Sequence, residues 1–478
     1  MGYKDLREWL EKVEKMGELR IIKGADWNLE IGAIRELVDK RKNGPALLFD
    51  EIKGYPKGYR LLVNSMGAMN RLALSMNIPS DLTPMSFIEA IKNKQKNLKL
   101  IPPKFVKTGP ILENIYQGKD INALIFPTPK WNELDGGRYI GTGGVDITRD
   151  PDEGWVNLGT YRVMVHDKDT LAFYISPGKH GRIHREKYFS RGEPCKVALC
   201  LGQDPLILLA GGIEVPYRVS EYDFVGGIKG EPVEVIEGPY TGLPIPANAE
   251  IVIEGESYPG ETKTEGPFGE FTGYYASSAR PEPFIRIKTI LHRNDPILLC
   301  SPPGKPPYEN AFYRSFIMSA NIWEQLEKAG IADIQGVWVP PAGGARSLIF
   351  LSIKQRYPGH AKQAAMVAAQ CGAGAYLGRY VIVMDEDIDI TDMDEVFWAL
   401  ATRSDPERSI DIIRRCWSTP LDPMIPSGEP PLNSRAIIEA CRPYEWIGKF
   451  PPVVGAKKEY LDAIKEKWGS LLFPEDKK

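Results

Sequence analysis

Val156-Asn157-Leu158-Gly159-Thr160-Tyr161-Arg162 is a short strand-like run with a glycine set inside it. It belongs to a long central stretch, from Ile101-Pro102-Pro103 to about Leu299, in which short alternating or apolar runs recur with turn residues roughly every 8 to 12 positions. That spacing predicts a sandwich or a barrel. Forty prolines and forty-six glycines supply the turns between the strands. Gly159 further suggests a bulge that brings Asn157 and Arg162 towards one pocket; read alone, Arg162 fits a surface ion pair better.

On the N-terminal side, Leu6, Trp9, Leu10, Val13 and Met16 recur at helical spacing with charges between them, and 29–38 repeats the pattern. Short apolar runs at 46–49 and 59–63 read as strands, and 70–76 and 85–91 as helices, so residues 1–100 are expected to form a small α+β unit. On the C-terminal side, Ser301-Pro302-Pro303-Gly304 reads as a linker or lid. Helical patterns at 317–329, 361–371 and 393–402 then alternate with β-rich runs at 348–353 and 380–384, which predicts an α/β layer over 301–448. A proline break, Lys449-Phe450-Pro451-Pro452, opens an arm over 449–478. Its last part, 459–472, aligns Tyr460, Leu461, Ile464, Trp468 and Leu471 on one helical face, which needs cover from its own subunit or a neighbour. The fold class is thus a multidomain α+β and α/β chain: an N-terminal unit, a central barrel over 101–300 and a C-terminal layer.

At roughly 150 residues per domain, 478 residues make about three domains. With 43% hydrophobic and 26% charged residues the chain has an ordinary globular composition. A formal charge of −3 offers no basic groove for nucleic acid. The longest apolar runs, 206–210 and 381–384, fall far short of the roughly 20 residues of a membrane helix. Met1-Gly2-Tyr3-Lys4-Asp5-Leu6 has no apolar signal-peptide core, so the expected location is the cytoplasm. Six cysteines without a Cys-x-x-Cys pair signal neither zinc nor a disulfide framework, and most are expected to be buried thiols.

Thr264-Glu265-Gly266-Pro267-Phe268-Gly269-Glu270-Phe271 places two carboxylates five positions apart. On a regular strand these face opposite ways, so they meet only if the backbone kinks, which Gly266-Pro267 and Gly269 permit. Meeting carboxylates would raise one pKa and make a general acid, and an arginine between them would decide which is ionised. On spacing alone a solvated acidic hairpin is the simpler reading. Ser176-Pro177-Gly178-Lys179-His180-Gly181-Arg182-Ile183-His184 gathers two histidines and two cations in what reads as a turn, fitting a phosphate or metal site or an exposed basic loop. Asp385-Glu386-Asp387-Ile388-Asp389 lacks the glycine and the twelfth-position glutamate of a calcium loop. Gly141-Thr142-Gly143-Gly144 is followed by no helical pattern, which excludes a dinucleotide fingerprint.

Taken together, Leu19 with Leu29-Glu30-Ile31-Gly32, the Asn157–Arg162 run, Glu265-Gly-Pro-Phe-Gly-Glu270 and Tyr380-Val-Ile-Val-Met-Asp-Glu-Asp387 resemble the UbiD-like decarboxylases that use prenylated FMN. The resemblance covers nearly the whole chain. It implies a central split β-barrel that binds the flavin, and a catalytic set of Arg162, Glu265 and Glu270. It implies a divalent metal, usually manganese, held by Asn157, His180 and Glu221 and bridging to the cofactor phosphate, with Lys179 beside it. Arg379 stands where the family has a phosphate-binding lysine, and a potassium ion is implied near backbone carbonyls of 210–215. Candidate substrate-lining residues are Tyr308, Tyr313, Arg314 and Trp417.

The implied function is reversible, non-oxidative decarboxylation of an aromatic or heteroaromatic acid, releasing or taking up CO₂. Loss of CO₂ from an sp² carbon needs an electron sink, which the modified flavin supplies by cycloaddition or by a simple adduct; Glu270 then protonates the carbon. Alternative readings are the catalytic subunit of a multi-component carboxylase and a non-catalytic flavin-binding or maturation protein. The implied partners are a flavin prenyltransferase for cofactor supply and further copies of the chain in a dimer or hexamer.

Overall fold

A computed structural model of the protein describes residues 2–473, apart from 214, 427 and the side chain of 458. Glu214, in the expected potassium stretch, and 474–478, at the end of the expected arm, lie outside the described residues.

The centre is built around one thirteen-residue strand, Arg280–His292. Along its length it pairs antiparallel with Thr170–Ala172, Ile251–Ser257, Thr262–Glu265 and Asn114–Gln117, and a strand holding different partners at its two ends bends the sheet. From it the sheet runs one way through Val163–Val165 to Arg138–Gly141, and the other way through Ile251–Ser257, Cys195–Leu201 and Val145–Arg149 to Val156–Gly159. The two outer strands are separate ends of the path, so the ten-stranded sheet is a curled half-barrel. Val156–Gly159 pairs with Val145–Arg149 in unbroken register, so the bulge expected at Gly159 is replaced by a strand end. A Cβ at Gly159 would stand 2.2 Å from the Tyr161 ring, so only glycine lets the chain fold back there.

In the N-terminal region, Asp5 accepts hydrogen bonds from the Arg7 and Glu8 amides and starts helix Leu6–Lys15, which buries Leu6, Trp9, Leu10 and Val13. Met16 lies past the helix end and is exposed, against the expected stripe. Leu19–Lys23, Ala46–Asp50 and Arg60–Val63 form a sheet whose fourth strand is Ile297–Leu299, paired parallel to Arg60–Val63. The first hundred residues are therefore completed by a strand from the end of the central segment.

The C-terminal region holds a five-stranded sheet in the order Ile334–Trp338, Leu348–Ile353, Tyr380–Asp385, Leu432–Ala440, Ile410–Trp417. Helices Glu309–Lys328, His360–Gln370 and Met393–Arg403 pack with it. The first begins at Glu309 rather than at 317, because its opening turns carry polar residues facing a cavity and hide the apolar period. The acidic run is consumed by cations: Arg403 bridges Asp385 and Asp387, and Arg442 pairs with Asp385 at 3.1 Å. All six cysteines are free, five of them buried. Among the described residues no helix is long and apolar enough to cross a membrane.

Candidate active site

Glu265 is the last residue of strand Thr262–Glu265 and is fully buried. The chain then leaves the sheet at Gly266, whose φ of 85° lies in the left-handed region, and returns Glu270 to the same side. Arg162, just beyond the end of Val156–Gly159, fills the space between the carboxylates. Its Nε donates to Glu265 Oε1 at 2.9 Å and its Nη2 to Oε2 at 2.8 Å, a two-pronged pair, while Nη1 reaches Glu270 Oε1. The Tyr139 hydroxyl donates to Glu265 Oε1 at 3.1 Å, and the guanidinium lies 4.5 Å from the centre of the Tyr174 ring.

These partners divide the labour between the two acids. Burial raises the Glu270 pKa above the ordinary carboxylate value; Arg162 opposes the shift and the Glu265 charge adds to it. Burial works against the Arg162 charge, but Glu270 and Glu265 outweigh it and hold the guanidinium pKa above its ordinary value. Glu265 thus takes the two-pronged grip on Arg162, and Glu270 is the acid of the pair whose pKa burial raises. Arg162 and Glu270 open onto a cavity of about 520 Å³, whereas Glu265 stands behind them.

Asn157, Lys179, His180 and Glu221 line the same cavity. The expected basic turn is instead the start of helix His180–Ser190, with Lys179 at its N-cap, and Glu221 opens a second helix, Glu221–Lys229. Two helix N-termini, each carrying partial positive charge, thus border this end of the cavity. Glu221 Oε2 accepts the Leu158 amide at 2.7 Å, and burial pushes its carboxyl up to about 8. Such a buried acid stays ionised only beside a cation, which fits a metal held with Asn157 and His180. The His180 ring packs edge-on against Trp155, centroids 5.2 Å apart. His184 belongs elsewhere: its Nδ1 lies 2.9 Å from Thr148 Oγ1, its Nε2 3.7 Å from Asp150, and it does not line the cavity.

Tyr308, Arg314 and Trp417 also line the cavity. Tyr313 does not; it is wholly buried and its hydroxyl accepts from Asn310 Nδ2 at 2.9 Å. Arg379 also stands off the cavity wall, because Asp422 accepts from its Nη2 at 2.6 Å. Besides Arg314, Arg346 of the C-terminal region faces the cavity, stacked 4.8 Å from the centre of the Tyr376 ring. Sequence reasoning missed Arg346, Asn310, Tyr174 and Tyr376. Each lies in a segment whose local pattern gives no sign of the cavity it meets, although the Glu309 to Arg314 run held Asn310 and Arg314 at one-turn spacing.

Three consecutive family models match the chain: the 3-octaprenyl-4-hydroxybenzoate carboxy-lyase N-terminal domain over 10–91, the Rift-related domain over 104–306 and the C-terminal domain over 311–440. The chain belongs to the UbiD family of carboxy-lyases. It is 32% identical to pyrrole-2-carboxylic acid decarboxylase of Pseudomonas aeruginosa, over 98% of each chain. The open form of vanillic acid decarboxylase from Sedimentibacter hydroxybenzoicus matches with a TM-score of 0.85 and 30% identity, covering 99% of this chain and 100% of that one. An evolved dimeric form of a UbiD-class enzyme from Pelotomaculum thermopropionicum, solved in complex with prFMN, matches with a TM-score of 0.83 and 28% identity, covering 97% and 99%.

Proposed function

We propose that this protein reversibly decarboxylates an aromatic or heteroaromatic carboxylic acid with prenylated FMN, and that Glu270 delivers the proton to the carbon that CO₂ leaves. The observation that carries the reading is Arg162 held between Glu265 and Glu270, with only Arg162 and Glu270 opening to the cavity. When bound, the flavin supplies the electron sink that an sp² carbon requires. The chain's own part is to hold and move one proton. Tyr139 holds Glu265, Glu265 fixes Arg162, Arg162 fixes the Glu270 carboxyl, and burial keeps that carboxyl protonated to higher pH than a free glutamate.

Asn157, His180 and Glu221 would hold a manganese ion beside the flavin phosphate, with Lys179 and the two helix N-termini adding positive charge. Arg346 and Arg314 face the cavity from the C-terminal region where Arg379 does not, so we assign any arginine contact with the cofactor from that side to one of these two. A potassium ion beside 210–215 would share a stretch in which the Gly211 carbonyl already accepts from Thr160 N at 3.1 Å and Oγ1 at 3.3 Å. The protein would act in the cytoplasm as a homo-oligomer, supplied by a flavin prenyltransferase. Expression with and without that enzyme, followed by absorption spectrum, intact cofactor mass and CO₂ release, tests the reading. Turnover by protein lacking the prenylated cofactor would overturn it.

A further inference from the structure

Beside the turn that carries Glu270 lies a buried acid that the proposed proton transfer does not use. Asp135 belongs to a loop that runs into strand Arg138–Gly141, at one end of the half-barrel sheet. It is buried and stands off the cavity wall. Its Oδ1 accepts from the Gly269 amide at 3.1 Å and from the Tyr275 hydroxyl at 3.2 Å, so one oxygen joins the residue before Glu270 to the fifth residue after it. Within that span the Glu270 amide donates to the Tyr274 carbonyl at 3.0 Å, and the Gly273 amide to the Glu270 carbonyl at 2.9 Å. The same loop also holds the kink before Glu270, because Pro267 O accepts from the Gly136 amide at 2.8 Å and from the Tyr139 hydroxyl at 3.3 Å. Only glycine permits that approach: a Cβ at Gly136 would stand 1.9 Å from the Gly266 carbonyl oxygen.

Asp135 Oδ2 accepts from the Asn132 amide at 2.9 Å and from Asn132 Nδ2 at 3.3 Å, so four donors converge on this one carboxyl. Burial raises its pKa above the ordinary carboxylate value, and these donors oppose the shift. A neutral acid or an amide in its place would turn a hydrogen towards one of them. Arg162 holds the carboxyl end of the Glu270 side chain, but it is gripped in turn by Glu265, on the other side of the Gly266-Pro267 kink. The backbone end of Glu270 therefore needs a hold of its own, since a proton donor about 1 Å out of place can lose about 10²-fold in rate. We infer that Asp135 is a positioning residue for proton delivery, which acts through Gly269 and Tyr275 to fix the backbone from which Glu270 reaches Arg162 and the cavity.

The inference rests on the decarboxylase reading for the task of Glu270, and its first measurement needs no turnover. Amide hydrogen exchange read by mass spectrometry compares flavin-loaded wild type, Asp135→Asn and Tyr275→Phe. Exchange over 266–275 is expected to quicken about tenfold or more in Asp135→Asn and less in Tyr275→Phe, while Cys195–Leu201 and Ile251–Ser257 keep their protection. In steady-state assays Asp135→Asn should lower kcat for CO₂ release about 10–10²-fold with KM and flavin content unchanged. Placed on Glu270→Gln, it should slow the residual rate no further, because the group it positions is already gone. Unchanged exchange over 266–275 overturns the inference, and so does an equal fractional loss of rate in the wild-type and Glu270→Gln backgrounds, which would make Asp135 a support of the fold at large. Quickened exchange in a protein whose wild type releases no CO₂ would count against the decarboxylase reading alone and leave Asp135 as the hold on the Glu270 backbone.

Discussion

Glu270 and Glu221 differ in what burial asks of them. Glu270 is expected to work as the protonated acid, so Glu270→Gln should keep its flavin and lose about 10²–10⁴-fold in decarboxylation rate, read as CO₂ release per bound cofactor. Wild-type turnover by that variant would remove Glu270 from the mechanism. The sign of the pH dependence follows from the same shift. With its pKa raised by burial, the acid form persists above the range of a free carboxyl, and the single-turnover protonation rate should fall as pH rises through the raised value. On the proposed reading Glu221 would have the opposite task, to stay charged beside a metal. His180→Ala and Glu221→Ala should therefore each be purified with depleted manganese and flavin by elemental analysis and absorbance, and unchanged contents in both would dismiss the metal assignment. The five-residue spacing of Glu265 and Glu270 around Gly-Pro was legible as a kink that could join two acids. Arg346 and Tyr139 were not, because each reaches the site across a sequence distance that no local pattern spans.

Among the elements, helix Glu309–Lys328 links two regions and carries two cavity residues, Asn310 and Arg314. Its first residue, Glu309, is buried and accepts from Ser65 Oγ at 2.5 Å and the Met66 amide at 2.8 Å, on the N-terminal side of the molecule. Glu309→Ala would leave the Met66 amide without its partner and should destabilise the fold by about 1–3 kcal/mol in denaturant titration. It should also weaken ligand binding, because Asn310 and Arg314 follow on the same turns. A loss of stability with ligand affinity intact would show that the helix start is set by other contacts. The strands at 46–50, 60–63, 348–353 and 380–385 were readable because apolar runs between turn residues state their own burial. The starts of the helices at 180 and 309 were hidden for the converse reason: residues turned towards a polar cavity break the apolar period.

For the whole molecule, the C-terminal segment is the part least covered by its own chain. Helix Lys458–Leu472 exposes Tyr460, Leu461, Trp468, Leu471 and Leu472, and before it Val453 and Val454 are also exposed. An uncovered apolar face of that extent favours a second copy as its cover. Truncation before Phe450 is expected to lower the oligomeric mass in light scattering while flavin binding persists; an unchanged mass would place the assembly surface elsewhere. The change from helices to mostly strands after residue 101, and the return of long helices after 301, was legible in the pattern of apolar and turn residues. The sharing of a sheet between the first part and the end of the second was not, since strand pairing over more than two hundred residues leaves no local trace.

That shared sheet also sets an order of events during synthesis. Arg60–Val63 emerges early but receives its parallel partner, Ile297–Leu299, only after the whole half-barrel has been made. At about 5–20 residues per second the wait is on the order of 10–50 s. Throughout it the edge of Arg60–Val63 presents unpaired backbone groups beside apolar side chains, a template for the wrong strand. The nascent N-terminal unit is therefore expected to be most open to mispairing until Ile297–Leu299 has been made and takes its place beside Arg60–Val63.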